Sequence, residues 1–370
     1  MSSMIQKSMI AGFSIFSMLF GSGNIVFPLV LGRDVASNWF WALIGWLITA
    51  VAIPLTGYYG AMLYDADSKK YLSPIGKHLT ALLMFVIMML VGPFGVMARI
   101  VNVSFGGIHN LSPSTSVVLF NAVYIAIMML LACRPGKIVQ IIGLIFTPLK
   151  FFGIAAIVIG AIYFGSEFTQ YDIKIPAGEA VFCGFNMGYQ TMDLLAAFIM
   201  AGTVYHYLKN AVPQKDKEDK KLLLKFTRLS CIIASFILAI AYIGLLLIGV
   251  QYSDQLATTP GEEIFGRIAE LSMGYYASWF VSIIIAVSCM ATSIILCVVF
   301  TDYVHKDILK EKFNKNIIFI SVGITTFAMS LLGFQQICSI MGMVLEKIYP
   351  ALIIFVGIKI AYYYIKKGKV

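Results

Sequence analysis

Charged residues are scarce in this sequence. Only 12 % of its 370 residues are Asp, Glu, Lys or Arg, whereas an ordinary globular domain carries about 25 %. Apolar residues make up 60 % of the chain, and its mean hydropathy is +0.88. So few charges cannot cover a surface in water, but a surface against lipid needs no such cover. The composition therefore excludes an ordinary soluble protein and predicts a membrane protein.

Patterns that carry enzymatic or metal chemistry are also missing. No CxxC or His-Glu-x-x-His sequence occurs, no pair of intramembrane aspartates is present, and the four histidines are scattered. All six cysteines are predicted within helices or at their ends: Cys133, Cys183, Cys231, Cys289, Cys297 and Cys338. We therefore expect no disulfide framework, metal centre, cofactor or enzyme. A channel is disfavoured because no filter sequence repeats.

Long uncharged runs are abundant instead. The long runs that contain no Asp, Glu, Lys or Arg include 8–32, 35–64, 79–98, 229–253 and 271–301. A helix needs ~20 apolar residues to cross the hydrocarbon layer, so each run is long enough. With the more interrupted runs, they predict an all-α polytopic protein. Its ten transmembrane helices are expected near 9–32, 39–64, 79–101, 115–133, 138–164, 181–207, 226–252, 277–301, 316–334 and 336–364.

The polar segment 165–180 divides these helices into two sets of five, in residues 1–164 and 181–370. Because five is odd, the second set begins on the opposite side of the membrane from the first. This permits a 5+5 inverted repeat, an arrangement found in secondary transporters. No residue-level identity between the halves is visible.

The distribution of basic residues predicts the orientation. With a cytoplasmic N-terminus, twenty of the 27 Lys and Arg residues fall on the inner side, four lie within helices, and three lie in outer loops (Arg33, Lys174 and Arg267). Such a bias marks the cytoplasmic side. We therefore expect a multi-pass protein of a bacterial inner membrane with both termini in the cytoplasm. The net charge of +9 needs no nucleic-acid partner, and the oligomeric state is left open.

Two predicted helices contain interruptions. In the first, Phe20-Gly21-Ser22-Gly23-Asn24 interrupts an apolar run, and Pro28 follows. In the sixth, residues 184–193 (GFNMGYQTMD) are polar and contain two glycines at the matching depth. Unwound backbone at that depth is tolerated where it lines a cavity or is buried in protein. Interrupted helices in corresponding positions of two halves point to a transporter binding site.

The free ends of such half-helices suit a zwitterion. An exposed helix N-terminus attracts an anion such as a carboxylate, and freed carbonyls at the other end can hold a cation. An α-amino acid presents both charges. The alternative is that the small residues in these segments merely permit close helix packing.

The string at 19–28 (LFGSGNIVFP) closely resembles the signature of the bacterial branched-chain amino acid:cation symporters, the LIVCS or BrnQ-type family. The resemblance continues in order along the chain: SPIGK at 73–77, VGPF at 91–94, Ala98-Arg99, RPGK at 134–137, TPLK at 147–150, GFNMGYQTMD at 184–193 and IYP at 348–350. It implies a LeuT-like 5+5 inverted-repeat fold with discontinuous helices 1 and 6, import of Leu, Ile and Val, and usually Na⁺ coupling. A carrier of another small neutral amino acid is the alternative.

The chain also departs from the family pattern. Leu29 replaces the second proline of a Phe-Pro-Pro sequence, Ala98 replaces the proline before Arg99, and Gly106 replaces a glutamate. Members tend to have twelve helices, whereas ten are predicted here.

The resemblance implies a substrate site on both interrupted segments. The carboxylate would meet the backbone N–H groups of Ser22 and Gly23, near Asn24, and the amino group would meet carbonyls around Phe20 and Asn186. The remaining predicted lining residues are Phe94, Phe185, Met187, Gly188, Tyr189 and Gln190.

A cation site is predicted on the eighth helix. The Cys289 carbonyl and the Thr292 and Ser293 hydroxyls share one helix face, and the carbonyls of Ser17 and Phe20 complete a set of five oxygens for Na⁺. The residues alone favour the alternative that both hydroxyls bond to carbonyls four residues back. The family resemblance favours Na⁺.

Three of the charged residues within predicted helices are candidates for a functional role, which is the first hypothesis at such positions. Lys150, in the middle of the fifth helix, is a candidate for H⁺ coupling in place of Na⁺, or it extends to the membrane interface. Asp193 is predicted to orient the interrupted segment, to act in a gate, or to cap the following half-helix. Arg99 is predicted to gate the outer vestibule or to extend outward to the interface.

Overall fold

The computed structural model describes residues 2–133, 147–165, 175–211 and 219–367, and within these ranges the chain is helical, with no strand. The α-helices, numbered in chain order, are α1 (Ser2–Leu19), α2 (Ser22–Val35), α3 (Trp39–Leu47), α4 (Ile53–Leu63), α5 (Ser68–Leu72), α6 (Lys77–Val91), α7 (Val96–Leu111), α8 (Val117–Ala132), α9 (Thr147–Phe164), α10 (Ala177–Gln190), α11 (Asp193–Ala211), α12 (Lys220–Gln251), α13 (Ile264–Met273), α14 (Tyr275–Tyr303), α15 (Lys315–Ser330) and α16 (Phe334–Lys367).

Five helical runs are long and apolar enough to cross a membrane: Ser22–Leu63, Lys77–Leu111, Lys220–Gln251, Tyr275–Ile308 and Phe334–Lys366. Four shorter apolar helices accompany them: Ile5–Leu19, Val117–Ala132, Phe151–Phe164 and Lys315–Ser330. This confirms an all-α polytopic membrane protein. The count of ten spans, the 5+5 repeat and its boundaries stay predictions.

The predicted third helix, 79–101, is wrong as a continuous element. Helix α6 ends at Val91 and α7 begins at Val96, with Gly92-Pro93-Phe94-Gly95 between them. Proline has no N–H to donate, and a side chain on Gly95 would collide with the Leu90 carbonyl oxygen. The helix therefore breaks here, in addition to the two predicted places.

The predicted end of this helix near residue 101 is also wrong, because α7 continues to Leu111. Gly106 packs against the backbone of Glu262, where a Cβ would lie 2.5 Å from the carbonyl oxygen. Asn110 Nδ2 donates to the Glu263 carbonyl oxygen at 2.7 Å. Gly106 therefore permits close packing of this helix.

The central helix of the fold is α2. Eleven of its 14 residues are buried, and it packs against α3, α7, α10, α12 and α13. Its contact with α12 is close because Gly32 and Gly249 face the opposing backbone, where a side chain on either would overlap main-chain atoms.

Close packing of glycines also joins α3 to α10. A Cβ on Gly184 would overlap the Ala42 carbonyl oxygen, one on Gly45 would overlap the Val181 carbonyl oxygen, and one on Gly188 would overlap the Thr49 side chain. Small residues four apart allow membrane helices to approach in this way. The expectation that the helix unwinds at Gly184 and Gly188 is therefore wrong, and the packing alternative holds for both glycines.

Replacing Gly184 with alanine should loosen this contact. We expect Gly184→Ala to destabilise the protein by about 1–3 kcal/mol, because the new methyl group overpacks the interface with α3. The matched control is Gly357→Ala, at an exposed helical position with nothing within 4 Å of the new Cβ. It should leave the apparent melting temperature in detergent unchanged or raise it. Equal melting temperatures for the two variants would contradict the packing described here.

Candidate functional site

The first helix is interrupted at Phe20 and Gly21, as predicted. Helix α1 ends at Leu19 and α2 begins at Ser22, while Gly21 is extended (φ −89°, ψ −168°). The Gly21 N–H donates to the side-chain oxygen of Asn24 at 3.0 Å. This bond satisfies a donor at the start of α2, as an N-terminal cap does. Phe20 is fully buried and stacks on Tyr242 with 5.7 Å between ring centroids.

The sixth helix is also interrupted, at Thr191 and Met192. The break lies at the end of the predicted segment 184–193, and helix α10 continues through Gly188. Met192 adopts a left-handed conformation (φ 60°), which costs a non-glycine residue about 1–3 kcal/mol and must be held by its surroundings. The Thr191 hydroxyl donates to the Gly188 carbonyl at 2.8 Å and accepts from the Asp193 N–H at 3.4 Å.

One buried side-chain cluster connects the two breaks. The amide nitrogen of Asn24 donates to the Asp193 carboxylate at 2.6 Å and to the Tyr242 hydroxyl at 2.5 Å. The Tyr242 hydroxyl is 3.4 Å from the same carboxylate oxygen. Asn24 belongs to α2, Asp193 begins α11, and Tyr242 lies in α12. The cluster therefore fixes both half-helices to a third helix.

A cavity lies where the three breaks meet. It contains about 430 Å³ of space not filled by protein atoms, with open solvent included in that volume. Its lining residues are Met18, Leu19, Gly21, Ser22, Gly23, Asn24, Val91, Val96, Arg99, Thr191, Met192, Asp193, Ala196, Met200, Thr292 and Leu296.

The helix ends around the cavity carry opposite partial charges. The N-termini of α2 and α11 are electropositive, and the C-terminal ends of α1 and α10 are electronegative. Arg99 adds a guanidinium group and Asp193 a carboxyl group to the lining. The other walls are largely apolar, with Leu19, Val91 and Leu296 among them. This arrangement can bind a small zwitterion that carries an aliphatic side chain.

The structure brings only some of the predicted substrate residues to this cavity. Ser22, Gly23 and Asn24 line it. The predicted residues outside its lining are Phe20, Phe94, Phe185, Asn186, Met187, Gly188, Tyr189 and Gln190. The apolar part of the lining consists of Leu, Val, Met and Ala side chains, and the binding roles of the predicted residues outside it stay predictions.

Other contacts occupy several of the residues outside the cavity. Tyr189 stacks on Tyr349 with 4.7 Å between ring centroids, and Gln190 Nε2 donates to the Cys338 carbonyl at 3.2 Å. Both contacts join α10 to α16. Phe94 lies in the turn after α6 and is 37 % exposed.

The predicted Na⁺ residues are divided. Thr292 lines the cavity and also donates to the Ser288 carbonyl at 3.4 Å, the bond four residues back that was the alternative. Ser293 is fully buried and faces the Tyr124 hydroxyl of α8. Cys289 is buried beside them. The Na⁺ site, including the carbonyls of Ser17 and Phe20, stays a prediction.

Arg99 does not extend to the membrane interface, so that prediction is wrong. Its side chain is 2 % exposed, lies over the Phe27 ring at 5.4 Å, and donates from Nη1 to the Gln190 carbonyl at 2.8 Å. The break before α7 places Arg99 in the first turns of a helix that starts at cavity depth. Lys150 belongs to α9, but its side chain lies outside the described part of the chain.

The sequence analysis did not predict the third break. It also did not assign Thr191 or Met192 to the substrate site, although both lie in the predicted segment 184–193. The signal for the third break was present, because two glycines flank Pro93 within four residues. The position of the sixth-helix break had no such signal, since neither Thr nor Met favours a left-handed backbone.

An ionic cluster joins helix ends on the side predicted to be cytoplasmic. Asp65 follows α4, and its carboxylate accepts from Lys70 Nζ at 3.0 Å and from Lys220 Nζ at 3.1 Å. Partial burial raises the pKa of Asp65, but the two ammonium groups outweigh burial and hold it below its ordinary value. The pairing therefore contributes above the unfolded pKa of Asp65 and is lost as pH falls through the lowered folded pKa. Because the groups are partly exposed, the contribution is small.

The sequence model of a protein family described as "Branched-chain amino acid transport protein" matches residues 4–370. The chain is 28 % identical over 348 residues to the branched-chain amino acid permease BrnQ of Bacillus subtilis, covering 92 % of this chain and 78 % of that protein. It is 28 % identical over 351 residues to BrnQ of Escherichia coli K12, covering 93 % and 78 %. It is 27 % identical over 358 residues to the permease BraB of Bacillus subtilis, covering 95 % and 79 %.

A solved structure of a manganese transporter from Eremococcus coleocola is also similar. It covers 97 % of this chain and 95 % of its own, at 10 % sequence identity and a TM-score of 0.44. At this TM-score the similarity gives no information about the substrate that the chain transports.

The link between the two breaks can be measured with a double-mutant cycle. We expect Asn24→Ala and Asp193→Ala to show a coupling energy of about 1–3 kcal/mol, because each removes the other's buried partner. The measurement is unfolding by SDS titration in mixed micelles. The control pairs Asn24→Ala with Asn121→Ala, a buried asparagine that donates to Ser330 Oγ at 3.0 Å and shares no partner with Asn24. Additive effects for the first pair would show that the cluster does not connect the breaks.

Proposed function

The chain belongs to the family of branched-chain amino acid transport proteins, and from this premise we propose that it imports leucine, isoleucine and valine by cation symport, with Na⁺ as the coupling ion. It is a membrane transport protein rather than an enzyme. We place it in a bacterial inner membrane with both termini in the cytoplasm, on the basis of its relatives and the inner excess of basic residues.

The observation that carries this proposal is the cavity between the interrupted helices. Electropositive and electronegative helix ends meet there, which suits the two charges of an amino acid. The aliphatic wall suits a branched side chain that lacks polar groups. Such a wall distinguishes side chains that differ by one methylene group by only about 1–3 kcal/mol, so overlapping acceptance of Leu, Ile and Val is expected.

We propose that the helices form a LeuT-like 5+5 inverted repeat. The interruptions of the first and sixth predicted helices support it, because they are the first helix of each set of five and both border the cavity. In this proposal the repeats occupy residues 1–164 and 181–370.

Uptake into proteoliposomes tests the substrate and the coupling ion together. We expect saturable uptake of labelled leucine, competed by isoleucine and valine, with an imposed inward Na⁺ gradient. Protein-free liposomes are the control. Transport of serine or alanine without leucine would reject the proposed substrate. Undiminished leucine uptake in Na⁺-free buffer under a proton gradient would reject Na⁺ and favour H⁺ coupling, for which Lys150 is the candidate.

Thr292 allows a more specific test of the Na⁺ site. We expect Thr292→Ala to raise the Na⁺ concentration that gives half-maximal leucine uptake by at least about tenfold, which corresponds to about 1.4 kcal/mol, because it removes one oxygen from the cation. The matched control is Thr325→Ala, since Thr325 also bonds to the carbonyl four residues back, at 2.8 Å, but is half-buried on α15 and does not line the cavity. Equal Na⁺ dependence of the two variants would exclude Thr292 as a ligand.

A further inference from the structure

Arg99 is a buried cation without a salt-bridge partner among the described carboxylates. Its side chain is 2 % exposed, and it lines the cavity. Removing a charge from water costs several kcal/mol unless a partner compensates it. An arginine at this depth with no salt-bridge partner among the described residues therefore calls for an anion that those residues do not supply.

The bonds that Arg99 makes leave donors unused. A guanidinium carries five N–H donors in a planar fork, and the described hydrogen bond uses Nη1 to reach the Gln190 carbonyl. The group also lies over the Phe27 ring and faces the Cys338 thiol. These contacts hold the guanidinium in a fixed orientation at the cavity wall without neutralising its charge.

The nearest acidic counterpart on the cavity wall has partners of its own. Asp193 is close enough to attract Arg99 electrostatically, but its hydrogen bonds go to Asn24 and Tyr242. The cavity wall thus carries a guanidinium group and a carboxyl group that do not form a salt bridge with each other. Ser22 and Gly23, at the electropositive N-terminus of α2, line the same space.

We propose that Arg99 binds the carboxylate of the transported amino acid, together with the N-terminus of α2, and so makes the carrier selective for amino acids over amines and amides of the same side chain. The inference deepens the proposed function and rests on it. An arginine fork matches the two oxygens of a carboxylate. Asp193 provides the opposite charge for the ammonium group of the same molecule.

Leucine and leucinamide separate this role from a structural one. Leucinamide keeps the side chain and the amino group but replaces the carboxylate with a neutral amide. We expect the purified wild-type protein to bind leucine at least about 30-fold more tightly than leucinamide, since a buried charge pair that loses one partner weakens by about that factor or more. In Arg99→Gln the ratio should fall to within about threefold, with leucine affected and leucinamide nearly unchanged.

The control variant is Arg267→Gln, which removes a half-exposed arginine paired with Glu270 at 2.7 Å and should keep the wild-type ratio. Arg99→Lys retains a charge but not the fork, so its ratio should lie between those of wild type and Arg99→Gln. If Arg99→Gln does not fold, a wild-type ratio in Arg99→Lys overturns the proposal and a reduced ratio supports it.

Two further outcomes overturn the proposal. One is an equal loss of affinity for leucine and leucinamide in Arg99→Gln, which would show that Arg99 only holds Gln190 in place. The other is an unchanged ratio in that variant. If instead the wild-type protein binds leucine no better than it binds serine, the proposed substrate is wrong. That result differs from a failure confined to the Arg99 variants.

Discussion

The side-chain amide of Asn24 is the contact on which the cavity depends. Its oxygen accepts from the Gly21 N–H at the first break, and its nitrogen donates to Asp193 at the second. Few other groups could do both, because an amide offers an acceptor and two donors from one rigid plane. The Asp193 carboxyl group is tolerated away from water because Asn24 and Tyr242 hydrogen-bond to it. Without the amide, the two half-helices would have neither a shared cap nor a shared partner.

Much of the architecture could be predicted from the sequence, because a helix in lipid needs a long apolar run and internally bonded backbone groups. Uncharged runs of about 20 residues and Gly-rich interruptions are strong local signals, and the break at Gly21 was located within a few residues. The sixth-helix break was placed too early, since a glycine in a membrane helix can either unwind it or let another helix approach. At Gly184 and Gly188 the second use applies, and only the position of α3 decides this.

The chemistry of the cavity was less accessible to prediction. Arg99 was predicted either to gate the outer vestibule or to extend to the interface, because it lies near the end of a third helix predicted to be continuous. The turn at Gly92 to Gly95 restarts the helix and directs the arginine inward. The aromatic residues of the segment 184–193 were expected around the substrate because they adjoin a break. Tyr189 packs against α16 instead, where its ring stacks on Tyr349. Such outcomes depend on neighbours that are distant in sequence.

The glycine contact between α3 and α10 has a consequence for motion. Because the backbones of α3 and α10 are in contact, sliding one helix along the other would cause main-chain clashes. We therefore expect α3 and α10 to move together as a rigid body. The nearest joint in the chain is the left-handed turn at Met192. Any motion of α3 and α10 away from the cavity would then pivot at Met192. Helix α11 would stay in place, because Asp193 connects it to α2 and α12.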